Sequence, residues 1–254
     1  MKAEQVAHRL PKKLGKEPLI DAVFEFRFSA HASFSEIVPG FLFSEFGGKA
    51  KIERLGPAEL PRPVRDQDAK LRYVPIYRLQ LEKFTVLIGD RVLALACKLP
   101  YPGWGAFKPE ILGLAERMRK LELIEKVERH SIKYVNIVAS DGVANQLSQT
   151  TLSLELAGEQ IKSDNVSLRI EKHQDSLLNV IQLVTGAEAT RENEHIASGI
   201  VIDIDTIVNF EPVSFHEWLR ELPDSSEKIR AENRKVFFSC LHPRTIDELE
   251  PIYE

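Results

Sequence analysis

A strict alternation of side chains over Ile20–Ser29, IDAVFEFRFS, is the feature that most constrains the fold. Apolar side chains, three of them phenylalanine, occupy every second position, and Asp21, Glu25 and Arg27 lie between them. A period of two places the two sets on opposite faces of an extended chain, which is typical of a β-strand buried on one side. Any fold for this chain therefore needs a sheet with at least one covered face.

The rest of the chain carries strand patterns more often than helical ones. Further strands are predicted at Lys51–Leu55, Leu71–Leu81, Phe84–Ile88, Val92–Lys98, Ile124–Val138, Thr151–Leu156, Val166–Glu171, Leu177–Val184 and Ile196–Asp205. Helical spacing of apolar residues predicts helices at about 34–46, at about 108–121 and from 215 to the KVFFSCL segment. Because strands mostly follow strands, we predict an α+β fold of largely antiparallel sheets with helices on one face.

Three local signals refine this prediction. Ser33, followed by Glu36 three residues later, is typical of a capping box that begins a helix. Gly89-Asp90, between two apolar runs, favours a hairpin turn in which the glycine takes a positive φ. Pro223 leaves two alternatives, one long kinked C-terminal helix or two helices, and the unbroken seven-residue apolar spacing around it favours the kinked helix.

The chain shows no change of composition that would mark a linker, so we predict one compact unit with three parts. Residues 1–18 form a basic lead-in arm, with five lysines and arginines against two glutamates. Residues 19–122 form an N-terminal α+β half. Residues 123–254 form a similar C-terminal α+β half that is closely joined to the first and ends in the long helix.

Composition excludes several classes of protein. With 254 residues, 43% of them apolar, the chain can bury a stable core without disulfides, and two cysteines make no disulfide framework. The sequence has neither an apolar leader nor a run of eighteen apolar residues, so we predict a cytoplasmic protein without membrane contact. A net charge of −4 gives no global reason to bind nucleic acid, which argues against that partner.

The motifs of common cofactor chemistry are missing from the sequence, so we expect no cofactor and no bound metal. There is no P-loop, no G-x-S-x-G and no G-x-G-x-x-G, and the histidines lack the spacing of a helical metal site. The one weak catalytic candidate is the pair Asp203 and Asp205, whose carboxylates face the same side of a strand and could hold Mg²⁺ or Mn²⁺. The alternative is a solvated face on an outer strand.

A candidate binding site combines two of the predicted strands. Glu25 and Arg27 lie opposite the phenylalanine stripe, and the strand at Ile124–Val138 carries Arg129, Lys133, Tyr134 and Asn136. If the two strands pair, these side chains could form a polar network or an anion-binding pocket. The alternative is a cross-strand salt bridge on a solvated sheet face, worth about 0.2–1 kcal/mol.

An aromatic cluster provides further candidate binding residues. Tyr101, Trp104 and Phe107 are spaced three apart in YPGWGAF, where the proline and the glycines shape a turn. Aromatic rings in such a loop could stack on a base or contact a partner protein. The alternative is that they close the end of a sheet where a loop enters a helix.

Five segments together carry a family resemblance, and they are EPLIDAVFEFRF, CKLPYPGWGAF, VERHSIKYVNIV, GIVIDIDTIV and KVFFSCL. In this order, from Glu17 to Leu241, they resemble a sporadically distributed family of uncharacterised bacterial and archaeal proteins of about this size. The family has no assigned activity, so the resemblance implies a lineage more than a function. Its patchy distribution implies an accessory gene, such as a component of a defence system or of a mobile element.

These observations favour a non-enzymatic binding, interaction or regulatory module. The family resemblance suggests that it is an accessory factor of a bacterial defence or toxin-control system. The partner would be another protein chain or a second copy, bound by the C-terminal helix face that carries Glu221, Glu227, Arg230 and Arg234. The alternative is a metal-dependent phosphoesterase or nuclease that uses Asp203 and Asp205. The least favoured hypothesis is nucleic-acid binding through Lys12, Lys13, Lys16, Arg62 and Arg65.

Overall fold

Nine strands form one continuous sheet, with the main helices packed against it. The computed structural model describes residues 10–140, 142–191 and 194–253. In chain order, the elements are β1 (Lys13–Leu14), β2 (Leu19–Ala30), α1 (Phe34–Glu45), β3 (Lys51–Arg54), α2 (Arg62–Gln67), β4 (Tyr77–Gln80), β5 (Phe84–Ile88), β6 (Val92–Cys97), α3 (Trp104–Arg119), β7 (Ile124–Ala139), β8 (Leu154–Leu156), β9 (Glu159–Ile161), β10 (Ser167–Gln174), β11 (Leu177–Arg191), β12 (Glu194–Ser214), α4 (Phe215–Cys240), α5 (Pro243–Glu248) and β13 (Pro251–Ile252). The predicted α+β fold is confirmed.

The two halves of the chain build the two sides of the sheet with the same connectivity. The strand order is β10-β11-β12-β7-β2-β6-β5-β4-β3, and every neighbouring pair is antiparallel. In each half the first strand, β2 or β7, pairs with the last, β6 or β12, and the strands between them run back from the sheet edge. The halves meet where β2 pairs with β7, for example at Phe24 opposite Ile132.

The alternation in β2 determines which sheet face is covered by helices. Phe24, Phe26 and Phe28 are at most 2% exposed and point toward the helices. The ring of Trp218 in α4 lies 4.6 Å from that of Phe26, and the ring of Phe34 in α1 lies 4.5 Å from that of Phe28. Burying one large apolar side chain contributes roughly 1.5–3 kcal/mol, so this aromatic stripe is a main source of stability.

Helix α4 is one continuous helix of 26 residues with Pro223 inside it, so the single-helix alternative is confirmed. The Ser214 side chain caps its start by accepting a hydrogen bond from the backbone N–H of Glu217. Leu222 and Ile229, which carry the seven-residue spacing, are fully buried. Packing of this apolar stripe offsets the backbone hydrogen bond that the proline cannot donate.

The part of the lead-in arm that the structure describes, residues 10–18, contains β1 and is called here the strap. Residues 1–9 of the predicted arm lie outside the described residues. Within the strap, Lys13 pairs with Ile252, and the backbone N–H of Gly15 donates to the carbonyl of Glu250. The first described residues of the chain are thus tied to its last ones.

Two local predictions are wrong for identifiable reasons. Ser33 precedes α1 but makes no side-chain cap, and its hydroxyl instead accepts a hydrogen bond from Arg62 at 2.8 Å. Gly89 does not adopt a positive φ. A glycine is needed there because a Cβ would lie 2.6 Å from the carbonyl oxygen of Val74.

Two predicted strands are shorter than expected. Only residues 77–80 of the segment Leu71–Leu81 form a strand, because the N–H groups of Leu71 and Arg72 both donate to the carbonyl of Asp68 in a preceding turn. The segment Thr151–Leu156 contributes only β8, which pairs with β9 in a small separate sheet. Its Leu156 is 71% exposed, so the leucine spacing there does not mark a core strand.

A buried ion pair joins three elements at one end of the sheet. Arg65 of α2 and Asp90 of the β5–β6 turn are separated by 2.8 Å, and their side chains are 8% and 6% exposed. The hydroxyl of Ser35 in α1 donates to the other carboxylate oxygen at 2.6 Å. Arg65 was one of the residues proposed to contact nucleic acid, and its burial removes it from the accessible surface.

Candidate functional site

A cleft of about 390 Å³ opens on the helix-covered side of the sheet, and it contains four of the predicted binding residues. Its walls are the strap, the loop between β6 and α3, and one face of α4, while β7 forms the floor. The predicted residues in it are Tyr101, Trp104, Tyr134 and Asn136. The other predicted residues, Glu25, Arg27 and Arg129, lie on the opposite face of the sheet.

The aromatic loop enters α3 through Gly103, whose φ of +84° favours glycine. Beyond it Phe107 is fully buried and stacks on Phe84, with ring centroids 6.2 Å apart. Tyr101 and Trp104 meet Phe107 edge-on and keep part of their surface in the cleft. The three rings therefore have different positions: Phe107 packs in the core at the end of the sheet, and Tyr101 and Trp104 line the cleft.

The floor of the cleft carries two neutral hydroxyl groups. The hydroxyl oxygens of Tyr101 and Tyr134 are 3.2 Å apart, which places them in a hydrogen bond. Burial raises the pKa of Tyr101 to about 12 and raises the pKa of Tyr134 well above its ordinary value. Since one hydroxyl donates to the other, the second keeps its own proton for another acceptor.

Helix α4 contributes Asn233 to the cleft, a residue that the sequence analysis did not identify, beside Arg230 and Arg234 of the predicted partner-binding face. Asn233 is 1% exposed, and its amide nitrogen donates to the carbonyls of Ile132 and Ile204 on neighbouring strands. These two bonds fix the rotation of α4. As a result Arg230, three residues before Asn233, and Arg234, one residue after it, line the cleft. The available signal was an asparagine within the apolar stripe of an amphipathic helix.

Positive charge collects around the cleft. Lys12, Lys13, Arg230 and Arg234 line it together with one carboxylate, Glu17, while the Glu227 carboxylate at the rim is paired with Lys108. Burial and the like charge of Arg230 lower the pKa of Arg234. Lost hydration raises the pKa of Glu17, although Lys13 and Arg234 oppose this shift. A locally cationic cleft thus sits in a protein whose net charge is −4.

The helix face predicted to bind a partner is largely engaged within the chain. The indole N–H of Trp104 and the ammonium group of Lys108 both donate to the Glu227 carboxylate, at 3.0 and 2.9 Å. The guanidinium carbon of Arg230 lies 5.4 Å from the centre of the Trp104 ring, and Arg234 donates to the carbonyl of Pro11. These contacts build the rim of the cleft.

The opposite sheet face holds the second group of predicted residues, in alternating ion pairs. Arg27 contacts Glu25 at 2.8 Å, and Arg129 contacts Asp205 at 3.0 Å. The ring of Tyr73 covers the Arg27 guanidinium at 4.4 Å. The residues on this face form ion pairs that also include the aspartate pair, whereas Tyr134 and Asn136, which the sequence analysis grouped with them, lie on the cleft side.

Asp203 and Asp205 lie on β12, which is an interior strand, so the expectation of an outer strand is wrong. Asp203 is 9% exposed and accepts hydrogen bonds from Lys133 at 2.9 Å and from Gln182 at 3.2 Å. Burial raises the pKa of Asp205, and the charge of Arg129 opposes the shift. Among the described residues, no group of three or more histidine, cysteine and acidic side chains could hold a metal ion.

Because cations already neutralise both aspartates, we expect Mn²⁺ and Mg²⁺ to leave the melting temperature of the wild-type protein unchanged. The measurement is a thermal shift with either metal, on the wild type and on Asp203→Ala/Asp205→Ala. The exposed Asp224→Ala serves as a control for weak surface binding. Stabilisation of the wild type, by about 2.7 kcal/mol at 100 times Kd and absent from the double variant, would instead support the metal-dependent phosphoesterase or nuclease.

Comparisons with known proteins do not name a relative: neither a scan against known family profiles nor a search of curated proteins gives a match. Within the described part of the chain, no helix has the length and apolar character needed to cross a bilayer. The geometry of the cleft and of the ion-pair network is therefore the basis for a functional proposal.

Proposed function

We propose that this protein is a non-enzymatic binding module that holds a small anionic ligand in the cleft between the strap and α4. The observation that carries the proposal is the excess of four cationic side chains over one carboxylate around a cavity of about 390 Å³. Cavities of roughly 300–1,000 Å³ are typical of small-molecule sites. Arginine and lysine at such a site donate charge-assisted hydrogen bonds to an anion.

The state of the titratable groups supports binding rather than proton transfer. Tyr101 has a pKa of about 12 and Tyr134 has a strongly raised pKa, so both hydroxyls stay neutral at pH 7. A general acid or base works best with a pKa near the operating pH, and these hydroxyls are far from it. They serve instead as fixed hydrogen-bond donors and acceptors beside the cations.

A regulatory role would follow from the position of the ligand. A bound anion would contact both the strap and α4, and so would link the first described residues to the C-terminal helix. A role in a bacterial defence or toxin-control system remains a prediction that rests on the family resemblance. A cytoplasmic location remains a prediction that rests on composition. Binding of a partner chain through α4 also remains a prediction.

Inorganic phosphate is expected to raise the melting temperature of the wild-type protein, and Arg230→Gln is expected to remove most of this rise. Arg230 is chosen because the structure gives its side chain a contact with the Trp104 ring and no hydrogen bond among the described residues. Loss of one charge-assisted hydrogen bond costs about 1.5–3 kcal/mol, so phosphate affinity should fall roughly tenfold or more. Differential scanning fluorimetry over a phosphate series gives the affinity.

The matched control is Arg220→Gln, which makes the same charge change on the same helix at an exposed position outside the cleft. It should respond to phosphate as the wild type does. Sodium chloride at equal ionic strength separates specific binding from general screening. An equal phosphate response in both variants, or no response in the wild type, would remove the support for this cleft as an anion site.

A further inference from the structure

We infer that the ligand of this cleft is a nucleoside monophosphate, with its phosphate at the arginines of α4 and its base against the aromatic loop. This inference rests on the proposed function and names its ligand class. It joins two features that lie side by side, a cluster of cations and a set of partly exposed aromatic rings. A phosphate joined to a planar ring combines the groups that these two features recognise.

Positive charge marks the end of the cleft that would hold the phosphate. Arg230 and Arg234 lie one helical turn apart on α4, and their mutual repulsion contributes to the lowered pKa of Arg234. Lys12 and Lys13 face them across the cleft from the strap, and neither lysine has an ion pair within 4 Å among the residues described. A phosphate monoester carries up to two negative charges near neutral pH and several acceptor oxygens, so it can satisfy several of these donors together.

The aromatic loop marks the end of the cleft that would hold the base. Trp104 and Tyr101 line the cleft and are only partly buried, while their neighbour Phe107 is fully buried. The Arg230 guanidinium already lies over the Trp104 ring, and a planar base can extend a stack of this kind. The hydroxyls of Tyr101 and Tyr134 at the floor then meet the polar edge of a base or a ribose.

A single nucleotide fits better than a nucleic-acid strand. The strap forms one wall of the cleft and is held there by the bond from Arg234 to the carbonyl of Pro11. The other basic residues named for nucleic-acid binding form ion pairs within the chain: Lys16 with Glu250 at 3.1 Å, Arg62 with Asp66 at 3.6 Å, and the buried Arg65 with Asp90. The cations are therefore concentrated at one cavity instead of following a groove.

Isothermal titration calorimetry tests the inference with AMP, GMP, CMP and UMP against ribose 5-phosphate, which lacks the base. At least one nucleotide is expected to bind roughly tenfold tighter than ribose 5-phosphate, because stacking of one base on an aromatic side chain supplies about that factor. Trp104→Ala should reduce nucleotide affinity to that of ribose 5-phosphate. Trp104→Phe keeps a ring and should retain most of the difference, which guards against a variant that fails to fold.

The outcomes separate this inference from the proposed function. If the nucleotides and ribose 5-phosphate bind equally and Arg230→Gln weakens both, the nucleotide inference is overturned while the anion site stands. If no probe binds to the wild type, both are overturned. A 5′-phosphorylated single-stranded oligonucleotide that binds more tightly than every mononucleotide would overturn the single-nucleotide inference. Tighter mononucleotide binding that depends on Trp104 and Arg230 supports it.

Discussion

Replacing Asp90 with alanine is expected to lower the free energy of unfolding by about 3–5 kcal/mol, the usual cost of leaving a buried charge without its partner. The guanidinium of Arg65 would remain in a site where it is 8% exposed and would lose its 2.8 Å contact. Burial works against ionisation of Asp90, yet the hydrogen bonds from Arg65 and Ser35 hold its pKa below the ordinary value. The carboxylate therefore stays charged and paired at neutral pH, and equilibrium urea unfolding measures the change.

Two further variants make this prediction specific. Arg65→Met/Asp90→Ala removes both charges and should be less destabilised than Asp90→Ala, because no unpaired ion remains. Asp66→Ala is the control on the same helix, since Asp66 pairs with Arg62 and with Arg91, each at 3.6 Å near the surface, and each pair should contribute under about 1 kcal/mol. If Asp90→Ala costs no more than Asp66→Ala, the pair does not hold the three elements together.

Acidification from pH 7 to pH 4 is expected to remove about 3 kcal/mol of stability through His130 alone. His130 is 3% exposed, and burial lowers its pKa to about 4 from the ordinary 6.5. Its two ring nitrogens are satisfied in the neutral form, one by the indole N–H of Trp218 and one by the hydroxyl of Ser225. In this pH range the unfolded chain binds the proton first, so the contribution is complete above pH 6.5 and is lost as the pH falls toward 4.

Urea unfolding between pH 4.5 and 7.5, on the wild type and on His130→Gln, isolates this contribution. The variant has no titrating ring, so its stability should decline less on acidification. Asp21 and Asp205 have raised pKa values, and they act in the opposite direction in both proteins, so their effect cancels in the difference. Parallel stability profiles for the two proteins would show that His130 is not held neutral by burial.

The sequence predicts the local part of this fold well because the strand signal is itself local. The alternation over Ile20–Ser29 and the hairpin from Phe84 to Cys97 depend on neighbouring side chains, and both are confirmed in the structure. Strand order depends instead on long-range pairing. The alternative proposed for Asp203, a solvated face on an outer strand, is wrong because β12 pairs on both sides and buries this residue.

The cleft could be predicted from the sequence only in part, because its lining residues are brought together by long-range contacts. Its residues come from four separate segments, and Tyr134 and Asn136 were grouped in the sequence with Arg129. The alternation of side chains along a strand already separates them. Tyr134 and Asn136 are two positions apart and share one face, whereas Arg129 is five positions before Tyr134 and lies on the other face. That Asn233 would turn Arg230 toward the same cavity could not be read from the helix alone.

The pairing of the strap with β13 has a consequence for the order in which the chain folds. Pro11 and Arg234 are 223 positions apart, and Ile252, the strand partner of Lys13, follows later still. During synthesis the strap is made before α4 and β13, so it has no partner until those two segments have emerged. One wall of the cleft can therefore be set in place only after α4 and β13 have been made, so a chain interrupted before α4 would lack a finished cleft.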